Sequence, residues 1–434
     1  MLQGRSMSGR VGVAVRHLPV LAPDLLDRRH VEATDPLCVP HLVRDEPRAT
    51  VLVAMNVWTP EPVALPPIDR QPLVSVLITS HNYERFIAEA VESALTQTYR
   101  YVEVIVADDA SEDDSCAVIE GLAARDGRVT LLRSQVNRGM AATTNAAYRA
   151  SKGSIICLLD ADDVFLPDKI ERVVDLFTTE PNAGFLLHAL TVVDADGRAI
   201  QRIPLAARFE RGWIAERAVR RGGRMRDMPT SALCFRREAA GLVFPIPEDA
   251  FRRSADGFVF TLMALVTEVT AIDEPLTLYR VHKRNDFGGM TRSRRSLEAE
   301  MGFIRTQIEH VNLYLAERMG TARTIRVERN LKHALCDVVL ALIDGRGLRR
   351  LRHEHRDLPR MLLTDDLYGP IHKAWWGALL LVSLIVPRRW RERYFGSALG
   401  YRRSKQALFD LVTRWLPGRP PTRRPPPNPG PEGT

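Results

Sequence analysis

The sequence predicts an α/β protein with a mainly parallel central sheet, and three observations carry that expectation. Apolar runs of strand length alternate with amphipathic helical stretches from about Leu73 to Phe177. That alternation is the pattern of a parallel sheet covered by helices on both faces. Polar, acid-rich turns follow the strands, at the carboxyl ends where such sheets bind ligands.

Taken in order, residues 1–70 show no clean periodicity and form an N-terminal extension of unknown role, ending in the proline-spaced "TPEPVALPPIDRQP", which reads as an extended linker. "LVSVLITS" (Leu73 to Ser80) is a β-branched run of buried-strand length. "ERFIAEAVESALTQ" then sets Phe86, Ile87, Ala90, Val91, Ala94 and Leu95 on one helical face. "YVEVIVA" gives a second strand, followed by the turn "DDASEDDS" and a helix from about Cys116 to Ala124. "RVTLLRS" (strand), "GMAATTNAAYRAS" (helix) and "SIICLLD" (strand) continue the alternation, before a helix bearing Ile170, Val173, Val174 and Phe177. Strands are expected near Phe185–Val193, a helix over Gly257–Val266, and helical structure over about Leu297–Ile343. From Pro417 on, eight prolines in eighteen residues predict a disordered tail.

A length of 434 residues with 45% hydrophobic content suits a well-cored protein. The five cysteines are scattered and lack C-x-x-C spacing, which points away from a disulfide framework or zinc site and toward a reducing compartment. The N-terminus has no secretory pattern, so a cytoplasmic location is expected. "WWGALLLVSLIV" (Trp375 to Val386) is well short of the roughly 20 residues a spanning helix needs. The net charge of +8 is concentrated at one end, since Arg388 to Arg424 holds eleven Lys/Arg against two Asp/Glu.

The chemistry-bearing stretch is "LLDADDVFLPDKI". Asp160 and Asp162 are two apart on an extended segment and present two carboxylates to one side, a hard-oxygen pair suited to Mg2+ or Mn2+. Helix capping accounts for one aspartate of this group but not for three, because clustered carboxylates repel one another unless a cation neutralises them. Asp168, next to Pro167, is the expected cap, and Asp163 has no assigned role. Asp108 and Asp109 end the second strand, where an acidic residue can accept hydrogen bonds from a ribose or base N–H, or can serve the turn itself. The first turn, "TSHNYERF", has neither a G-x-G-x-x-G nor a phosphate-loop pattern, which leaves donor phosphates to a metal and to side chains.

The series "VSVLITSHNYERFIAEAVESALTQTY", "VEVIVADDASEDDS", "NRGMAATTNAAYRASKGSIICLLDADDVFLPDKI", "SADGFVF" and "DEPLTLYRVHKRN" resembles the inverting, GT-A fold glycosyltransferases of family 2, over about Pro72 to Asn285. The resemblance implies a nucleotide-facing group of Thr79, His81, Asn82 and Asn137, with Asp109 on the base, commonly uracil. It implies metal binding by Asp160 and Asp162, with Asp160 also facing the donor, a catalytic base at Asp256, and His282 of "YRVH" near the donor phosphates. The reaction implied is transfer from a nucleotide sugar, UDP-linked, to a saccharide or lipid-linked acceptor, with Mg2+ or Mn2+. Without the resemblance Asp256 reads as an N-cap, and His282 as a structural histidine.

Three departures stand out. The family's Glu-Asp is Ala255-Asp256 here, with Glu248-Asp249 nearby as a rival; its Ala-Arg-Asn is Thr143-Thr144-Asn145, leaving Arg138 or Lys152 to compensate; and His81 replaces a common Tyr. The domain reading is an extension (1–70), a GT-A catalytic domain (71–290), a helical C-terminal region with a basic, aromatic interfacial segment (291–416), and the tail (417–434). Trp375, Trp376, Trp390 and Trp415 accompany the basic cluster, as expected of a segment lying peripherally on the inner, anionic membrane face; a buried hairpin is the alternative. Charge confined to one terminal segment argues against nucleic acid. The rival functions are a non-catalytic nucleotide-sugar-binding scaffold and a sugar nucleotidyltransferase, the latter disfavoured because "SHNYERF" is not a glycine-rich triphosphate grip.

Overall fold

The computed structural model describes residues 61–203, 209–226, 228–282, 294–321, 323–346, 351, 353–387, 389–391 and 395. Most of the N-terminal extension and the proline-rich tail therefore lie outside the described residues.

In chain order the elements are β1 (Val74–Ser80), α1 (Ile87–Leu95), β2 (Val102–Asp108), α2 (Ser115–Arg125), β3 (Val129–Arg133), α3 (Met140–Ala150), β4 (Ile155–Asp160), β5 (Val164–Phe165) and α4 (Lys169–Thr179). There follow β6 (Ala183–Val193), β7 (Ala199–Ile203), α5 (Ala215–Arg220), β8 (Leu233–Arg236), α6 (Arg237–Val243), α7 (Ala255–Val266) and β9 (Glu268–Arg280). The C-terminal helices are α8 (Arg294–Met319), α9 (Leu331–Asp344), α10 (Leu358–Thr364) and α11 (Pro370–Ile385).

The strands form one sheet in the order β3-β2-β1-β4-β8-β6-β9-β5, with β7 paired to β6. The half from β3 to β4 is parallel throughout, as is the β6-β9 pair. Strands β8, β7 and β5 run antiparallel to their neighbours. The α/β architecture expected from the alternation is present, and it is consistent with a GT-A fold.

Alternation along the strands builds two cores. Val74, Val76 and Ile78 point to one face, where Ile87, Val91, Ile119, Ile170 and Phe177 of α1, α2 and α4 cover them. Leu77, Ile105, Ile156 and Leu158 point to the other, against α3, α6 and α7. Period-2 burial on both faces is what makes these strands apolar throughout. Strands β1 and β4 sit in the centre of the sheet, so their carboxyl ends are held by neighbours on each side.

Two local expectations are corrected. Helix α1 starts at Ile87, and Phe86 stands before it, half-buried, rather than in the core face. Asp168 occupies the N-cap position of α4 but makes no capping bond; the Gln97 side chain from the end of α1 accepts from the Ile170 amide at 3.0 Å instead. A long amide reaching from a packed neighbour does the work that a short carboxylate does in an isolated helix.

The C-terminal helices are tied to α7. Gln307 of α8 donates to Gly257 O (2.9 Å) and Thr261 Oγ1 (2.6 Å) of α7. The third core joins α8, α9, α10 and α11 through Leu297, Leu335, Val339, Leu358, Trp376 and Leu379. Helix α9 is capped by Asn330, whose side chain accepts from the His333 amide, and it ends at Gly345 with φ 73°.

Two glycines separate close packing from mere propensity. A Cβ at Gly153 would lie 2.6 Å from Leu73 O, Ser75 N and Ser75 Oγ, whereas one at exposed Gly121 in α2 would meet nothing within 4 Å. Gly153→Ala is therefore expected to lower stability by about 2–3 kcal/mol. Gly121→Ala should raise it by about 1 kcal/mol. Urea denaturation midpoints read both.

Candidate active site

The site begins with strand register. Ser80 pairs with Asp108 across β1 and β2, and Thr79 pairs with Asp160 across β1 and β4. Neighbouring strands lie about 4.8 Å apart, so the ends bearing Thr79, Asp108 and Asp160 are side by side at one edge.

Asp109 follows β2 with its amide bonded to Ser80 O at 2.9 Å. Its two carboxylate oxygens accept from the amides of Arg138 and Gly139, each at 2.7 Å. This draws the Asn137–Gly139 turn against the strand ends. Gly139 has φ 89°, and a Cβ there would lie 2.7 Å from the Arg252 backbone, so only glycine fits. Arg252 completes the turn by donating to Asn137 O (2.9 Å) and Oδ1 (3.2 Å). Asn82, in the left-handed region at φ 62°, accepts from the Glu112 amide and holds the loop after β2. His81 beside it is exposed.

The acidic turn after β4 is fastened from below. Asp163 is fully buried: Ser231 Oγ donates to its Oδ2 at 2.5 Å and the Arg280 amide to its Oδ1 at 2.8 Å. Burial, then the charges of Asp162 and Asp160, hold its carboxyl well above the usual carboxylate range. Ser231 Oγ also accepts from the Asp160 amide at 2.9 Å, and Ser231 O accepts from the buried Lys169 ammonium at 3.0 Å. Burial pushes Lys169 down from its ordinary value.

Arg280 and His282, at the end of β9, close the turn from the side. Arg280 Nε donates to Asp162 O at 2.8 Å, Nη2 to Glu89 at 2.6 Å and Nη1 to Ala195 O at 3.1 Å. His282 Nε2 lies 2.8 Å from Asp162 Oδ2. The His282 ring stacks on Phe86 at 5.1 Å, and the Arg280 guanidinium sits 4.9 Å over the same ring. The sequence singled out His282; it gave no reason to choose Arg280, Phe86 or Ser231. The "YRVH" run was the available signal for Arg280.

Asp256 is the second residue of α7, half-buried, and Ser254 rather than Asp256 is the N-cap. The capping explanation for Asp256 thus falls away. Burial holds the Asp160 carboxyl well above its usual range, with the charges of Asp162 and Asp256 adding to it. Asp162 and Asp256 are therefore both within electrostatic reach of Asp160. Among the described residues no three His, Cys, Asp or Glu side chains form a complete metal cage. Asp160 and Asp162 fit a divalent cation that takes its remaining ligands from donor phosphates and water, and the mutual repulsion at Asp160 is the field such a cation relieves.

The departures also resolve. Thr143 and Thr144 donate back to their own helix, at Gly139 O and Met140 O. Asn145 bonds both ways with the Ile246 backbone and donates to Glu248 at 3.2 Å. Glu248 forms an ion pair with the exposed Arg138 at 2.5 Å. Lys152 precedes β4, at the opposite edge of the sheet from Asp160, and cannot substitute for a phosphate-binding arginine.

Residues 75–244 match the profile of glycosyl transferase family 2. An uncharacterized glycosyltransferase of Nostoc sp. is 30% identical over 263 residues, covering 60% of this chain and 80% of that protein. The chain belongs to glycosyl transferase family 2. This glycosyltransferase is also 36% identical over 108 residues to the UDP-Glc:alpha-D-GlcNAc-diphosphoundecaprenol beta-1,3-glucosyltransferase WfaP of Escherichia coli, covering 25% of this chain and 42% of that one. Chondroitin synthase of Escherichia coli is 35% identical over 133 residues, or 31% of this chain and 19% of its own. A solved S. aureus TarS fragment in complex with UDP-GlcNAc aligns over 77% of this chain and 91% of its own, at 14% identity and a TM-score of 0.46.

For the glycosyltransferase, Asp109→Ala is expected to cost about 2–4 kcal/mol, because two amides at the turn lose a charged acceptor. Asp109→Asn, which keeps one acceptor oxygen, should cost about half as much by the same reasoning. Thermal and urea unfolding without donor measure both.

Proposed function

We propose that the glycosyltransferase inverts configuration at the anomeric carbon of a UDP-linked sugar and delivers the sugar to a saccharide or lipid-linked acceptor. One observation carries this reading: the acidic turn after β4 opens at the same sheet edge as the Asn137–Gly139 turn, which is bonded to the segment leading into α7 and Asp256 (Met140 amide to Arg252 O, 2.9 Å), and the charges of Asp162 and Asp256 both push the Asp160 carboxyl up. Displacement at a sugar carbon needs a base on the acceptor side and charge neutralisation on the leaving diphosphate, and such a cluster can supply both.

Asp256 takes the proton from the acceptor hydroxyl as that oxygen bonds to the anomeric carbon. The bond from that carbon to the diphosphate oxygen breaks on the opposite face, and the nucleoside diphosphate leaves with the electron pair. Asp160 and Asp162 would hold Mg2+ or Mn2+, which when bound neutralises the diphosphate charge. His282, seated between Phe86 and Asp162, fixes the Asp162 side chain and is aimed at the phosphate region. Thr79, His81, Asn82, Asp109 and Asn137 are assigned to the nucleoside, supported by their place at the strand ends and the turn that Asp109 draws in. The name of WfaP, with a UDP-Glc donor and a diphosphoundecaprenol-linked acceptor, supports a UDP sugar and a lipid-linked acceptor here. Catalysis is assigned to residues 71–290, with 291–416 as the helical region.

A thermal-shift panel of UDP-sugars and GDP-mannose, with and without Mn2+, tests the donor assignment. A UDP-sugar should raise the melting temperature only when metal is present. Equal stabilisation without metal removes Asp160 and Asp162 from that role. Asp256→Asn should lower kcat by roughly 10²–10⁴-fold while leaving donor affinity within about twofold. Steady-state transfer kinetics and calorimetry separate the two effects; wild-type kcat in this variant would exclude Asp256 as the base.

A further inference from the structure

Helix α11 is apolar on two faces. Trp376 and Leu379 are buried in the core shared with α9, and Trp375 and Leu380 are half-buried beside them. On the other side Ile371, Ala374, Ala378, Leu381, Val382 and Ile385 recur at helical spacing and are all exposed. At about 100° per residue they fall within an arc of about 100°. Leu381 is 68% exposed and Ile385 81%. Single exposed leucines are ordinary, but a stripe along a whole helix marks a contact surface.

Charge decides what the contact is. Helix α11 contains no Asp or Glu. The acids just before it are engaged inward, Asp365 with Arg224 at 2.6 Å and Asp366 with Arg221. The stripe runs directly into exposed Arg389 and Trp390, where the segment of eleven Lys/Arg against two Asp/Glu begins. Two copies pairing through this face would bring their exposed Arg389 side chains toward one another, whereas an anionic surface would attract Arg389 and the basic sequence that follows it. No described helix is long and apolar enough to cross a membrane.

We infer that the outer face of α11 docks in the interfacial layer of an anionic lipid bilayer, with Leu381, Val382 and Ile385 at the acyl boundary and Arg389 and Trp390 at headgroup level. The inner face keeps the helix in register with the rest of the protein: Arg391 Nη1 donates to Leu342 O of α9 at 2.9 Å, and its Nε to Val386 O at 3.0 Å. Through α9, α8 and α7 this attachment reaches the helix that carries Asp256, so a docked α11 fixes the catalytic domain at the surface where lipid-linked acceptors reside. The docking surface stands apart from the donor and the reaction mechanism.

Flotation of the full chain with phosphatidylcholine vesicles, with and without roughly 30% phosphatidylglycerol, tests it. Binding is expected to the anionic vesicles, weakly to the neutral ones, and to fall as salt is raised. Leu381→Glu with Ile385→Glu should reduce the bound fraction at least tenfold at equal lipid, by roughly the transfer loss of two large apolar side chains. Leu381→Ser with Ile385→Ser should reduce it without adding negative charge, and melting curves report whether each variant keeps its fold. Three results would overturn the inference: no wild-type binding to anionic vesicles, wild-type binding by both variants, or a wild-type dimer in light scattering that these substitutions turn into monomer.

Discussion

The carboxyl group of Asp163 is fully buried beneath the acidic turn, and its hydrogen-bond partners come from two other segments of the chain. Ser231 reaches it from the turn before β8, and the Arg280 amide from the end of β9. An unsatisfied carboxylate at that depth would cost several kcal/mol, enough to expel the turn. Because Ser231 also holds the Asp160 amide and its carbonyl takes the Lys169 ammonium, one serine links the floor of the turn to the base of α4. Asp160 is then left half-exposed at the end of β4, and Asp162 is buried beside it with its carboxylate against His282.

The rest of the site inherits its geometry from the sheet. Strands β1, β2 and β4 end in register, so three loops with different sequences open at one level. Asp109 uses that level to gather the Asn137–Gly139 turn, and Gly139 supplies the one backbone conformation that lets the turn approach Arg252. On the far side, α7 arrives with Asp256 in its first turn. Gln307 of α8 fastens that turn through Gly257 O, so the C-terminal helices support the start of α7 directly.

Much of this was legible in the linear chain, because the signals involved are local. Period-2 and period-3.6 burial names the strands and helices, and covalent order fixes which turns follow which strands. The clustering of Asp160, Asp162 and Asp163 in four positions could be read as a charge that needs a partner. That Asp162 and Asp163 are buried while Asp160 stays half-exposed could not, since the three differ only in what packs around them.

By itself, then, the sequence determined the α/β alternation, the carboxyl-edge position of the acidic turns and the identity of the residues with chemistry to offer. Tertiary structure decided their neighbours. It brought His282 to Asp162 across 120 residues and Asp256 within electrostatic reach of Asp160. It made Phe86 the ring on which His282 and Arg280 rest, and gave the α4 cap to Gln97 instead of Asp168. The physical reason is common to all four: each depends on packing between segments remote in sequence, and no local periodicity encodes which remote segment fills a given space.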